Sequence, residues 1–140
     1  MDYKKILLLL LISMLLMTFA LFMGGQIYDY SKEGLEVTKK FFDSLNNRNY
    51  NRAKRYVSHY LKPRIEEMRN VFGAYEADVK YNGLEYKVMD SNNNGVVIRA
   101  YYTLILQSKF NNTSQDVIME LGLKPVKGEG LKIVTLKQIK

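Results

Sequence analysis

Residues 6–23, ILLLLLISMLLMTFALFM, form an unbroken apolar run, and no charge lies between Lys5 and Asp29. Eighteen residues of helix extend about 27 Å, close to the ~30 Å hydrocarbon core of a bilayer. A helix packed on a water-soluble domain keeps one polar face, whereas this run has only Ser13 and Thr18. Residues 6–23 are therefore predicted to cross a membrane. Lys4 and Lys5 precede the run, which places the short N-terminus in the cytoplasm and everything after Gly25 outside it. A cleaved secretory signal is the competing reading. Its apolar region usually covers about 7–15 residues and ends in a small-x-small site. Here the run is longer, and a cut after Gly24 would put Phe22 at the critical upstream position, so a retained anchor is expected.

The predicted organisation is an anchor over residues 1–25, a juncture over 26–30 and one domain over 31–140. About 115 residues suffice for one hydrophobic core and leave no room for two. Two of the 21 Lys and Arg and one of the 14 Asp and Glu lie in the anchor, so the remainder carries a net charge of about +6. That charge is dispersed rather than gathered into an arm, and no nucleic-acid partner is expected. The chain has no Cys, which excludes disulfides, thiol nucleophiles, thiolate metal sites and lipid attachment through an N-terminal Cys.

After the juncture, Ser31 is a candidate helix cap, and Leu35, Thr38, Phe41, Phe42 and Leu45 recur at helical spacing over residues 32–45. Asn46-Asn47-Arg48-Asn49 ends that helix. A second helix, capped by Asn49, is predicted to carry Tyr50, Ala53, Tyr56, Val57, Tyr60 and Leu61 on one stripe. Pro63 suits the first turn of a third, which presents Ile65, Met68 and Phe72 and ends near Gly73. The remainder alternates as strands do. Leu84, Tyr86 and Val88 share one face. A turn at 91–95 leads to Val96, Ile98, Ala100, Tyr102, Leu104 and Leu106, a wholly apolar face. A turn at 111–114 precedes Val117, Met119, Leu121 and Leu123. In the last strand, 131–139, the alternation slips from odd (Leu131, Ile133) to even (Val134, Leu136), the mark of a bulge. Helices followed by an antiparallel meander define an α+β domain: about three helices on a curved sheet of about four strands.

The segment 41–58, FFDSLNNRNYNRAKRYVS, and the closing Gly128-Glu129-Gly130-Leu131-Lys132-Ile133 resemble the nuclear transport factor 2-like (cystatin-like) superfamily. Members commonly open with a helix ending in a similar aromatic-rich motif. A polar turn, an aromatic and an Ala three residues on follow it. Leu131 stands where many members have Trp. The resemblance implies a cone-shaped domain with a pocket at its wide end. A related fold forms the outer domain of inner-membrane assembly factors in type IV secretion and conjugation.

Catalytic signatures are sparse. His59, the only His, falls off the apolar stripe of the second helix and is expected at an edge or in solvent. Asp43 with Glu66 or Glu67 is the one candidate acid–base pair, although solvated helix faces account for all three. No metal or other cofactor is expected. Two surfaces are candidates for binding. Arg99, Tyr101 and Thr103 alternate on the mixed face of the second strand, where a ligand or partner can dock. Arg48, Arg52, Lys54, Arg55, Lys62, Arg64 and Arg69 form a basic group able to face an anionic membrane. The expected protein is a non-enzymatic, membrane-anchored binding or assembly module outside the cytoplasm of a bacterial envelope, with an envelope protein or a second copy as partner. The alternatives are a scaffold subunit of a type IV secretion or conjugation machine, and a small-ligand binder or small enzyme using the cone pocket.

Overall fold

In the computed structural model, residues 2–24, 28–74 and 76–140 are described, with side chains omitted for 19–24. The first helix, α1 (Tyr3–Gly24), has 22 residues. Among the described residues no helix is long and apolar enough to cross a membrane. The expected span, 6–23, lies partly outside the described side chains, and residues 26 and 27 of the predicted juncture lie outside the described residues.

α2 (Ser31–Asn46) follows, then a short α3 (Tyr50–Ala53), two 3₁₀ turns (Lys54–Tyr56 and His59–Leu61) and α4 (Lys62–Ala74). Four strands complete the chain: β1 (Asp78–Asn92), β2 (Gly95–Gln107), β3 (Asn112–Val126) and β4 (Gly130–Gln138). They form one antiparallel sheet in sequence order, the α+β meander that the alternation predicts. The core lies between one sheet face and the helices. α2 contributes Thr38, Phe41, Phe42 and Leu45 to it, and β2 contributes Val96, Ile98, Ala100 and Tyr102. Phe42 is the hub of this layer, with ring centroids 5.3 Å from Tyr102, 5.7 Å from Tyr81 and 5.4 Å from Phe41. Tilted and edge-on pairs of this kind add about 0.5–1.5 kcal/mol each beyond their buried area.

Four expectations are corrected. The second helix does not run continuously from Tyr50 to Leu61. At Val57 the backbone turns extended and forms a parallel bridge with Ile133, and the Ser58 N–H donates to the Ile133 carbonyl at 2.8 Å. Val57 is thereby buried over the β4 edge, while Tyr60, assigned to the stripe, is 90% exposed. Ser31 is not the cap of α2. Its N–H donates to Asp29 Oδ1 at 2.9 Å, so Asp29 satisfies one of the free N–H groups of the helix start. β1 begins well before Leu84: Val79 and Tyr81 point into the core, and a bulge between Asn82 and Glu85, at Gly83 with φ +66°, moves the inward set to Leu84, Tyr86 and Val88. The β2–β3 turn lies at Ser108–Asn111, ahead of its predicted place. The bulge in β4 is present as expected: Gly122 pairs with Thr135 and Leu123 with Ile133, leaving Val134 as the extra residue. Asn49 caps α3 by accepting the Arg52 N–H at 3.0 Å.

Gly34 sets the spacing between α2 and the sheet. A Cβ there would lie 2.5 Å from Val96 Cγ1. Gly34→Ala gains roughly 0.5–1 kcal/mol of helix propensity, but overpacking costs about 1–3 kcal/mol, so a net loss of stability is expected in thermal or denaturant unfolding. Adding Val96→Ala makes room for the methyl, and the double variant should be less destabilised than the two single changes summed.

Candidate functional site

The outer face of the sheet brings Arg99, Tyr101 and Thr103 together, as strand alternation requires. Each faces a β3 neighbour: Glu120, Ile118 and Asp116. Arg99 Nε donates to Glu120 Oε2 at 3.2 Å, and Thr103 Oγ1 donates to Asp116 Oδ1 at 2.8 Å. The Arg99 guanidinium is held above its ordinary pKa by Glu120 first and then by the Tyr101 hydroxyl. Tyr101 and Thr103 border a shallow hollow of about 400 Å³ with Glu85, Asp116, Ile118 and Lys140. The polar groups of this face already serve one another across the strands, so it is a pre-formed and largely self-satisfied surface.

The seven basic residues are divided. Arg48 takes φ +55° just past α2 and pairs with Asp78. Lys54 pairs with Glu66, which also meets Arg69 at 3.5 Å. Arg52 Nε donates to the Tyr56 hydroxyl at 3.4 Å and lies 4.0 Å from Asp43. The Arg55 carbonyl accepts from Lys132, Lys62 is exposed at the start of α4, and Arg64 Nη1 donates to the Leu136 carbonyl at 3.1 Å. Arg48 and Arg69 share a groove of about 460 Å³ beside Tyr50 and Phe72. Exposed pairs like these contribute about 0–1 kcal/mol each.

The acid–base candidates separate. Asp43 faces Arg52, and Glu66 is held below the ordinary carboxylate range chiefly by its hydrogen bond from Lys54. A general acid needs the opposite shift. His59 is exposed in the second 3₁₀ turn, with its ring 6.1 Å from that of Tyr60. Among the described residues no group of three His, Cys, Asp or Glu side chains converges as a metal site.

A cavity whose lining residues the sequence did not single out as such lies between α2, α4 and the inner sheet face. It measures about 220 Å³ and is lined by Phe41, Phe42, Leu45, Met68, Phe72, Tyr81, Tyr102, Leu104, Val117, Met119 and Leu136, with Arg64, Gln115 and Gln138 as its polar members. The volume falls below the ~300–1,000 Å³ of pockets that enclose drug-sized ligands, so it accommodates a short apolar fragment. Tyr102 is visible in the sequence as a core residue. Tyr81 is hidden there because Gly83 interrupts the alternation that would have announced it. Burial pushes the Tyr102 and Tyr86 hydroxyls up to about 12, and that of Tyr81 further, with Tyr102 adding to the effect.

Comparison with known proteins adds no relative: no protein-family model, no curated protein and no solved structure matches the chain.

The raised tyrosine values give a signed expectation. The folded chain keeps protons that the unfolded chain releases near pH 10. The associated stability is fully present below pH 10 and is lost as the pH rises towards about 12. Tyr81→Phe with Tyr102→Phe should move the alkaline unfolding midpoint upward, as followed by circular dichroism.

Proposed function

We propose that the chain is a non-enzymatic, membrane-anchored binding or assembly module whose α+β domain stands outside the cytoplasm. One observation carries the reading: Leu7 to Leu11 and Met14 to Met17 of α1 are each about half or more exposed, so the domain provides no cover for them. Water is a poor medium for such a helix, and hydrocarbon is a good one. Ser13 and Thr18 donate back to helix carbonyls, at 3.1 Å to Leu10 and 3.0 Å to Met14, as hydroxyls in an apolar medium do. The uncharged run of 6–23, preceded by Lys4 and Lys5, supports a single span with the N-terminus inside. An envelope protein or a second copy is the proposed partner, with the sheet face around Arg99, Tyr101 and Thr103 as the docking surface. Helices packed on one face of a four-stranded meander, with a cavity between the layers, support membership of the nuclear transport factor 2-like superfamily.

The chain's lack of Cys makes topology directly measurable. A single cysteine replacing exposed Phe110 should react with a membrane-impermeant maleimide in intact cells or spheroplasts, and one replacing Asp2 should react only after lysis. The opposite pattern overturns the orientation, and release of the chain by alkaline carbonate overturns the anchor.

The cavity favours a second reading, a binder of a short apolar ligand. A fluorescent acyl probe should then bind, and Met68→Trp, which fills the space, should abolish binding while leaving the thermal midpoint nearly unchanged. Equal probe binding by both proteins removes this reading.

A further inference from the structure

We infer that the domain is held upright on the membrane by a hydrogen-bonded clamp. The clamp presses the end of the sheet bearing the β1–β2 and β3–β4 turns against the lipid headgroups. This inference rests on the proposed anchoring of α1.

The chain itself sets the distance. α1 ends at Gly24, and Tyr28 follows four residues later. Four residues span at most about 14 Å, so Tyr28 stays close to the end of the apolar helix. From Tyr28 the backbone is fastened to the β1–β2 turn. The Tyr28 N–H donates to Asn93 Oδ1 at 2.8 Å, and the Tyr30 N–H donates to Ser91 Oγ at 3.2 Å. Asp29 Oδ1 accepts from Ser91 Oγ at 3.0 Å and from the Ser31 N–H at 2.9 Å. The rings of Tyr28 and Tyr30 lie 4.5 Å apart, and Tyr28 is exposed, an amphipathic pair suited to the interfacial layer. Headgroup layers add only about 5–8 Å to each side of the hydrocarbon, so a turn tied to Tyr28 lies within or beside them.

The antiparallel register brings the second turn to the same end. Val96 pairs with Leu123, Lys124 packs beside Gly95, and the β3–β4 turn follows Val126. The formal charges of this end balance, with Lys32, Lys124, Lys127 and Lys132 against Asp29, Glu33, Asp90 and Glu129, so its seating is independent of lipid charge. At the opposite end, β2 carries the Ser108–Asn111 turn about 40 Å away, with Phe110 94% exposed. α2 likewise carries Arg48 about 24 Å from Ser31. The clamp thereby turns the Arg48–Arg69 groove away from the bilayer rather than onto it.

The full chain is reconstituted in phosphatidylcholine vesicles containing headgroup- or acyl-spin-labelled lipid, with one fluorophore-bearing cysteine at a time: Leu16→Cys, Asn94→Cys, Lys127→Cys or Phe110→Cys. The acyl label should quench position 16. The headgroup label should quench positions 94 and 127 several-fold more than position 110, equally at low and high salt. Adding Asp29→Ala and Ser91→Ala should shrink the difference between the two ends while leaving position 16 unchanged. Quenching at 16 with equal quenching at both ends, or a difference between ends that disappears in salt, overturns the clamp and leaves the anchor standing. Absence of quenching at 16 overturns both.

Discussion

Phe42 is the contact on which the domain depends. It projects from α2 into a ring of aromatics supplied by β1 and β2, so one side chain joins the helix layer to two strands that are distant in sequence. The close approach it needs is permitted by Gly34, two turns earlier, where the helix backbone rests on Val96 and Ile98. The sheet in turn depends on that helix. The β1 edge is closed at Tyr81 by Asn46 at the end of α2, whose side-chain amide accepts from the Tyr81 N–H at 2.8 Å and donates to its carbonyl at 3.2 Å. The β4 edge is closed by Val57 and Ser58. A four-stranded meander with free edges invites pairing with other chains, and here the helical half of the domain occupies part of both.

The same packing sets the character of the candidate sites. The inner face is filled around Phe42 except where α2 and α4 diverge, and the cavity found there is apolar because the layers that bound it are core faces. The outer face is polar but internally paired, since the β2–β3 register places Glu120 opposite Arg99 and Asp116 opposite Thr103. Recognition is the activity we propose for this architecture, and in that reading the clamp at Asp29 determines which surfaces the domain offers. Because hydrogen bonds from Ser31 and Ser91 hold the Asp29 carboxyl below its usual 3.8, the clamp is intact at neutral pH and weakens only as the pH falls through that lowered value.

The elements legible in the sequence are those whose burial is written in a local period. The α2 face was visible because five core positions recur at three- and four-residue spacing, and β2 and β3 because one face of each is almost entirely apolar. The β4 bulge could be read because inserting one residue shifts every later side chain to the opposite face. The break after α3 was not legible. Tyr50 to Leu61 has acceptable helical spacing, and the interaction that overrides it is a hydrogen bond to Ile133, more than seventy residues away. The start of β1 was lost for a related reason: Gly83 divides one strand into two short patterns, and the first, Val79 and Tyr81, is too brief to stand out.

By itself, the sequence determined a long uncharged apolar run at 6–23, the face that α2 buries, the order of the meander and the absence of any thiol chemistry. All of these follow from composition or from periods contained within one segment. Tertiary structure alone decided that Asp29 rather than Ser31 accepts a free N–H at the start of α2, and that the basic residues separate among ion pairs, backbone contacts and solvent. It likewise decided that Tyr81 joins Tyr102 in a cavity wall. Each of these outcomes requires a partner brought from elsewhere in the chain, and no local pattern records which distant residue will arrive.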